Sequence, residues 1–398
     1  MLDRWARPTR WCVSLLAAVG VFYLIRFLFD LADTSLAGAK DLANRDFANY
    51  WVAGKLVHAG GQQLLFTLQD YRLVLEAFFG REYATHAWSY PPHFLLFVWP
   101  LGLVGYKAAL SGFLLITFAL FVFAALTFRH VYAPRSDGTL FAATLIGFAG
   151  MMLWLMQNGF FTAGCALLGL AWIKQRPLLA GLALACLTTK PQLGLLIPVL
   201  LLVDRNWPTM IWATVFTGAL VGISIALFGV GSWQAYLGET MPYQAHVLTS
   251  WTGDFLLMMP NVFGSMRTLD LSPTLAFGVQ GIASAMFGAL TIWLLLKETD
   301  PLGRICIVLC GTFLVSPYAF NYDMGAFAVA AAVLAGSRRL ASPATFVVAI
   351  AAGLPAAVFA LGKASLPITP LLLAGCLAAI HMRAPRETSE VVADASIA

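Results

Sequence analysis

Residues 107–128 read KAALSGFLLITFALFVFAALTF, an apolar run whose only charge, Lys107, stands at its first position. A helix rises about 1.5 Å per residue, and ~20 largely apolar residues suffice to cross a bilayer. This run therefore reads as a membrane-crossing helix. Working outward, comparable runs occupy 11–30, 139–155, 160–173, 177–189, 192–203, 208–230, 274–296, 302–317, 324–337, 341–361 and 367–381. Several are too short to cross alone. They must borrow flanking residues or form broken helices that line a cavity.

Composition agrees. Of 398 residues, 60% are hydrophobic and 11% charged, with a mean hydropathy of +0.81. A soluble protein carries roughly 25% charged residues, so this chain cannot clothe itself in water. The expected fold is an all-α polytopic bundle of about twelve transmembrane helices, with residues 1–382 as a single membrane domain and 383–398 as a polar cytoplasmic tail. The run from Trp11 to Phe29 follows Arg4, Arg7 and Arg10 and lacks a small-residue cleavage pattern, so it reads as a retained first helix.

The basic residues set an orientation. With twelve crossings and an internal N-terminus, the cytoplasmic side receives fourteen Lys and Arg, among them Arg129, Arg304, Arg338 and Arg339. The other side receives four, Lys107, Lys190, Arg267 and Lys363, outside a long first loop that carries five more. Long loops translocate largely regardless of charge, so both termini are expected in the cytoplasm. Residues 92–104, PHFLLFVWPLGLV, would invert this scheme as a full crossing and instead read as a re-entrant or interfacial half-helix begun by Pro91 and Pro92.

Two exoplasmic loops are large, 31–91 and 231–273. The first is expected to hold two short amphipathic helices. One, over 46–58, gathers Phe47, Tyr50, Trp51 and Gly54; the other, over 70–79, has Asp70 as N-cap, a stripe of Tyr71, Val74, Leu75 and Phe78, and Gly80 as its stop. The six cysteines lie in or beside apolar runs without CxxC or metal-ligand spacing. No Walker A, GxSxG, HExxH or dinucleotide fingerprint occurs. Nothing points to nucleic acid, a cofactor or an essential metal.

Polar residues that composition cannot explain gather on the exoplasmic side: Asp41, Asp46, Ser89-Tyr90-Pro91-Pro92-His93, Gln157-Asn158-Gly159, Thr188-Thr189-Lys190-Pro191-Gln192, Asp254 and Asn321-Tyr322-Asp323. Each carries two readings. Asp46 suits a general base taking a proton from a hydroxyl, or a helix cap complementing the dipole, and the cap is favoured. A lysine at membrane depth costs ~3 kcal/mol, so Lys190 needs a partner; lipid phosphate and snorkelling are equally good accounts. Gln157-Asn158-Gly159 suits sugar hydroxyls or an ordinary turn. Asp323 suits a site or a helix start, and a lone His93 is more often structural than catalytic. Arg26 snorkels, or meets a lipid phosphate.

Together these stretches resemble the glycosyltransferase family 87 membrane proteins, polyprenol-phosphate-mannose-dependent α-mannosyltransferases of the GT-C fold. The resemblance rests on Asp46-Phe47, Tyr50-Trp51, Gly54, Gly60-Gly61, Tyr90-Pro91-Pro92, Pro100-Leu101, Gln157-Asn158-Gly159, Lys190-Pro191-Gln192, Ser316-Pro317 and Tyr322-Asp323, in that order. It implies a polyprenyl-phosphate-sugar donor, mannose by inheritance, and a glycolipid or glycan acceptor at the membrane lipid boundary. It also implies Asp46 as base of an inverting transfer, with Lys190 and Gln192 on the donor phosphate. Tyr50, Tyr90, His93, Gln157, Asn158, Tyr322 and Asp323 would then contact sugar or substrate. A transporter or lipid flippase is the rival class, since it too uses broken helices and buried charges.

Overall fold

The computed structural model describes residues 3–32, 46–80 and 87–382; Asp41 and the tail from Arg383 lie outside them. Every regular element among the described residues is helical. Breaks between helices coincide with capping chemistry. Asp137 accepts from the Thr139 amide at 2.7 Å, Asn206 from Thr209 at 3.3 Å and Asp300 from Gly303 at 3.3 Å. Pro177, Pro273 and Pro301 open their helices, where the missing N–H costs nothing.

Each apolar run carries a helix, but the helices are of two kinds. Five are long and apolar enough to cross a membrane: Val13–Ala32, Tyr106–Tyr132, Gly138–Leu155, Trp207–Phe228 and Pro273–Lys297. Their outer faces expose Leu115, Ile116, Ile211 and Ile282, side chains that only lipid would solvate favourably. The run 341–361, expected as one crossing, is a pair of helices, Ser342–Ala352 and Leu354–Lys363, bent by 73°. Gly353 and Pro355 make the break.

By length and composition alone five helices qualify as crossings, or six with the bent pair, and the remaining runs of the expected twelve need flanking residues or neighbouring helices to reach across. The remaining runs form apolar helices of 10–17 residues. Pro301–Val315 and Gly325–Gly336 are buried on nearly every side, as befits helices surrounded by other helices. The stretch that joins them, from the buried Ser316 to the buried Gly325, borders a cavity through Tyr318, Phe320, Tyr322 and Asp323. Non-helical backbone at that depth is tolerated only under such cover.

The other ends of these helices are tied by charge. Arg304 pairs with Asp204, Arg339 with Asp300 at 2.7 Å, and Arg339 also donates to the Tyr132 carbonyl at 2.6 Å. Residues assigned to one side by the lysine and arginine pattern thus touch one another.

The first loop folds as a layer with its own apolar core. Phe47–His58 buries Phe47, Tyr50, Val52, Ala53 and Leu56, and Leu68–Phe79 adds Tyr71 and Leu75. The second helix starts earlier than expected: Thr67 occupies the N-cap position, and Asp70 lies within the first turn. Gly80, at φ +96°, ends it. Pro92–Leu103 is a broken helix too short to cross. It packs against the first helix where Gly54 meets Gly102; a Cβ on Gly54 would lie 2.6 Å from the Gly102 nitrogen, so only glycine permits this approach.

Candidate active site

Between the first-loop layer and the helical bundle lies a cavity of about 510 Å³. Asp46, Tyr90, Gln157, Lys190, Gln192, Tyr322 and Asp323 all line it. These positions are scattered along the chain, and short turns bring them together. Lys190 directly precedes Pro191, which opens the turn Pro191–Gly194. Tyr322 and Asp323 belong to the turn Asn321–Asp323, ahead of the helix Gly325–Gly336. Met156 adopts a left-handed conformation at φ 52°, which ends one helix and lets Gly159 begin the next.

Gly159 has a steric reason to be glycine. A Cβ there would collide with the Tyr322 carbonyl oxygen. The glycine thus lets one backbone turn approach another. That contact sets Gln157 beside Tyr322 at the cavity wall.

Lys190 has found its partner within the protein. Its Nζ lies 2.7 Å from Asp323 Oδ1, and the two side chains are 8% and 0% exposed. The second carboxylate oxygen, Oδ2, accepts from the Phe320 amide at 3.1 Å. The ammonium also lies 4.6 Å from the centre of the Tyr322 ring and 5.9 Å from that of Tyr90. Burying such a pair is tolerable because Coulomb attraction, the backbone hydrogen bond and two aromatic faces act together. A lysine ammonium carries further N–H donors beyond the one given to Asp323. It can therefore hold an anion in the cavity while remaining fixed.

Asp46 stands at the N-cap position of Phe47–His58 but its side chain makes no capping hydrogen bond. The favoured sequence reading keeps its position at the helix start, where the charge meets the dipole, but the hydrogen bond of a cap is missing. It lies in the cavity wall beside Asn49. Its negative charge reaches the neighbouring phenols. Burial first, and then the Asp46 charge, hold Tyr71 and Tyr90 well above the usual tyrosine range. For Tyr50 burial is again the largest cause, followed by Tyr90 and Asp46. These phenols remain neutral hydrogen-bonding groups and do not serve as bases.

Three expected residues do not line the cavity: Tyr50, His93 and Asn158. Tyr50 sits behind the wall and aligns it. Its hydroxyl is 2.7 Å from that of Tyr90 and donates to Gln157 Oε1 at 2.5 Å. His93 is buried, 3.2 Å from the Thr188 hydroxyl, with its ring stacked on Trp233 at 5.8 Å. Burial holds its imidazole down to about 4, so it is neutral near pH 7. Asn158 is fully buried, and its carboxamide has no hydrogen-bond partner among the described residues.

Elsewhere, Asp254 leaves the cavity to pair with Lys363 at 2.7 Å on the surface. Arg26 pairs with Asp30 one helical turn away at 3.2 Å. Sequence reasoning missed several lining residues, namely Asn49, Tyr236, Gln244, Trp251 and Tyr318. Most come from the second loop, whose helix Met241–Ser250 is anchored when Gln244 donates to the Ser89 carbonyl at 2.6 Å. Glutamine and tyrosine on neighbouring faces of that loop were the available signal. Among the described residues, no group of three or more His, Cys, Asp or Glu gathers in a way that could hold a metal ion.

The cavity thus offers a carboxylate, a fixed ammonium and several hydroxyl and amide groups in an otherwise apolar wall. It can deprotonate a hydroxyl, hold a phosphate and orient a polyol. Comparison with known proteins bears on that chemistry. The family model described as Glycosyltransferase family 87 matches residues 88–317. No curated protein and no solved structure matches the chain.

Proposed function

The chain belongs to glycosyltransferase family 87, and from that membership we propose that it moves a sugar, mannose, from a polyprenyl-phosphate carrier to an acceptor hydroxyl within the 510 Å³ cavity. It is a multi-pass membrane glycosyltransferase, and the transporter reading gives way to the family. The cavity faces the exoplasmic side, with both termini in the cytoplasm. Support for that orientation is the count of fourteen basic residues against four.

Asp46 acts as general base. Its carboxylate takes the proton of the acceptor hydroxyl, and the freed oxygen attacks the anomeric carbon. The new C–O bond forms as the bond to the phosphate oxygen breaks. That electron pair leaves with the polyprenyl phosphate, and the anomeric carbon inverts. Lys190 donates to the departing phosphate, with Asp323 holding the ammonium in place. Preorganised donors of this kind stabilise charge as it develops. Gln192 assists at the phosphate, while Tyr90, Gln157 and Tyr322 orient the sugar; Tyr50 fixes the first two from behind.

The observation that carries this reading is the placement of Asp46 and the Lys190–Asp323 pair on the wall of one cavity. The test is reconstitution. Purified protein in lipid nanodiscs receives polyprenyl-phosphate-mannose and a membrane lipid extract, and products are read by mass spectrometry. Wild type should give a mannosylated product, and Asp46→Asn should lose it by about 10²-fold or more. Undiminished transfer by Asp46→Asn would remove this residue from its role. No transfer by wild type would remove the donor.

A further inference from the structure

A second cavity, of about 410 Å³, adjoins the first and has no part in the chemistry described. Its size falls in the range of roughly 300–1,000 Å³ typical of ligand sites. Ala87 lines both cavities, and so does the stretch 236–250: Met241 and Gln244 face the first, Glu239, Thr240 and Tyr243 the second. A π-helical turn, Tyr236–Thr240, lies in this shared stretch. Such turns re-phase the faces of a helix and occur often at functional sites. The two linings are also joined by a side-chain pair, with Tyr71 of the second cavity donating to Asn49 of the first at 2.7 Å.

The lining of this second cavity is specific in chemistry. Among the described residues that line it, Glu239 is the one charged side chain, joined by Gln69, Thr67, Tyr243 and Trp88. No lysine or arginine is among the described residues that line it, so none of them offsets the repulsion between Glu239 and a phosphate. Trp88 is 2% exposed, and its ring is held against Tyr90 and Phe94 at 5.2 and 5.9 Å. Its Nε1–H has no hydrogen-bond partner among the described residues. A buried donor left unmet is costly, and an indole N–H can only donate. An acceptor oxygen is what would satisfy it.

We infer that the second cavity is a subsite for a neutral saccharide unit of the acceptor, one unit away from the hydroxyl that reacts in the first. A sugar hydroxyl oxygen accepts from Trp88 Nε1–H, other hydroxyls donate to Glu239 and Gln69, and Tyr243 and Trp88 supply aromatic surface. The acceptor then passes between the two cavities at Asn49 and Tyr71. This inference rests on the glycosyl-transfer reading for its biology, but the binding it describes can be measured without transfer.

The experiment uses the full chain in lipid nanodiscs and two panels of probes, octyl glycosides of mannose, glucose and galactose and the octyl glycosides of the corresponding disaccharides. Binding is followed by saturation-transfer NMR and calorimetry, without donor. At least one disaccharide should bind about tenfold tighter than its monosaccharide, the gain of roughly one or two hydrogen bonds. Trp88→Phe, which keeps the ring and removes the N–H, and Glu239→Gln should each erase most of that advantage. Asp46→Asn should keep it. Thermal unfolding of Trp88→Phe confirms that the fold persists. The inference is overturned if no disaccharide outbinds its monosaccharide, or if the advantage survives both variants. A disaccharide advantage without transfer by wild type would sink the function and leave the subsite standing. Transfer without the advantage would do the reverse.

Discussion

Lys190 and Asp323 are separated by 133 positions in the chain and meet 2.7 Å apart in a nearly sealed wall. Their pairing changes what the lysine is. It is a fixed donor with a counter-ion rather than an uncompensated cation waiting for phosphate.

Removing one partner should therefore be worse for the fold than removing both. Lys190→Met or Asp323→Asn alone is expected to cost about 3–5 kcal/mol, because an unpaired charge or an unmet polar group stays buried. The double variant Lys190→Met with Asp323→Asn should recover most of that stability and none of the transfer. Thermal unfolding and product formation, measured on all four proteins, check both halves. Recovery of transfer in the double variant would show the pair to be scaffolding.

Asp46 invites a simpler test. An acid that caps its helix loses about 1 kcal/mol when cut back to alanine. The Asp46 carboxylate makes no such bond, so Asp46→Ala should shift stability by less than about 0.5 kcal/mol while transfer falls. A clear drop in unfolding temperature would restore the capping account.

Gly159→Ala should act at a distance from any substrate. Its new methyl group would press on the Tyr322 carbonyl, at an expected cost of about 1–3 kcal/mol. The Gln157 and Tyr322 turns would be driven apart, so transfer should weaken as stability does. An alanine variant of wild-type stability would mean that the two turns separate freely.

His93 provides the pH dependence. Its imidazole is held at about 4 by burial, against about 6.5 when unfolded. Between those values the unfolded chain binds a proton that the folded chain refuses. The stabilisation is complete above pH 6.5 and is lost as pH falls toward 4, by up to about 3 kcal/mol. His93→Phe should flatten the fall in unfolding temperature across that window. If wild type and variant fall in parallel, His93 is not the group that titrates.

Much of the fold was legible because hydrophobic runs announce helices, and proline and capping residues announce their starts. The number of crossings was less so. Runs such as 302–317 and 324–337 carry short helices buried among other helices, and sequence alone does not separate such helices from lipid-facing ones, because the difference lies in what surrounds them. At the site, the sequence made plain that Lys190 must have a partner at depth. It could not name Asp323, since long-range pairing depends on tertiary folding. The second-loop residues Tyr236, Gln244 and Trp251 escaped notice because a loop helix that roofs a cavity looks in sequence like one that lies on a surface. The hydroxyl cluster of Tyr50, Tyr90 and Gln157 was visible only as separate residues.

Asp46 and Lys190 are rooted in different apolar cores, the first-loop layer and the main bundle, and Gly54 and Gly102 form part of the seam where the layer packs its own broken helix. The gap between base and ammonium is hence a docking distance, fixed by how two blocks of protein seat against each other. Substitutions where layer meets bundle, as at Tyr50 and Gln157, would tune the enzyme remotely, leaving its reactive groups chemically intact but out of reach of one another.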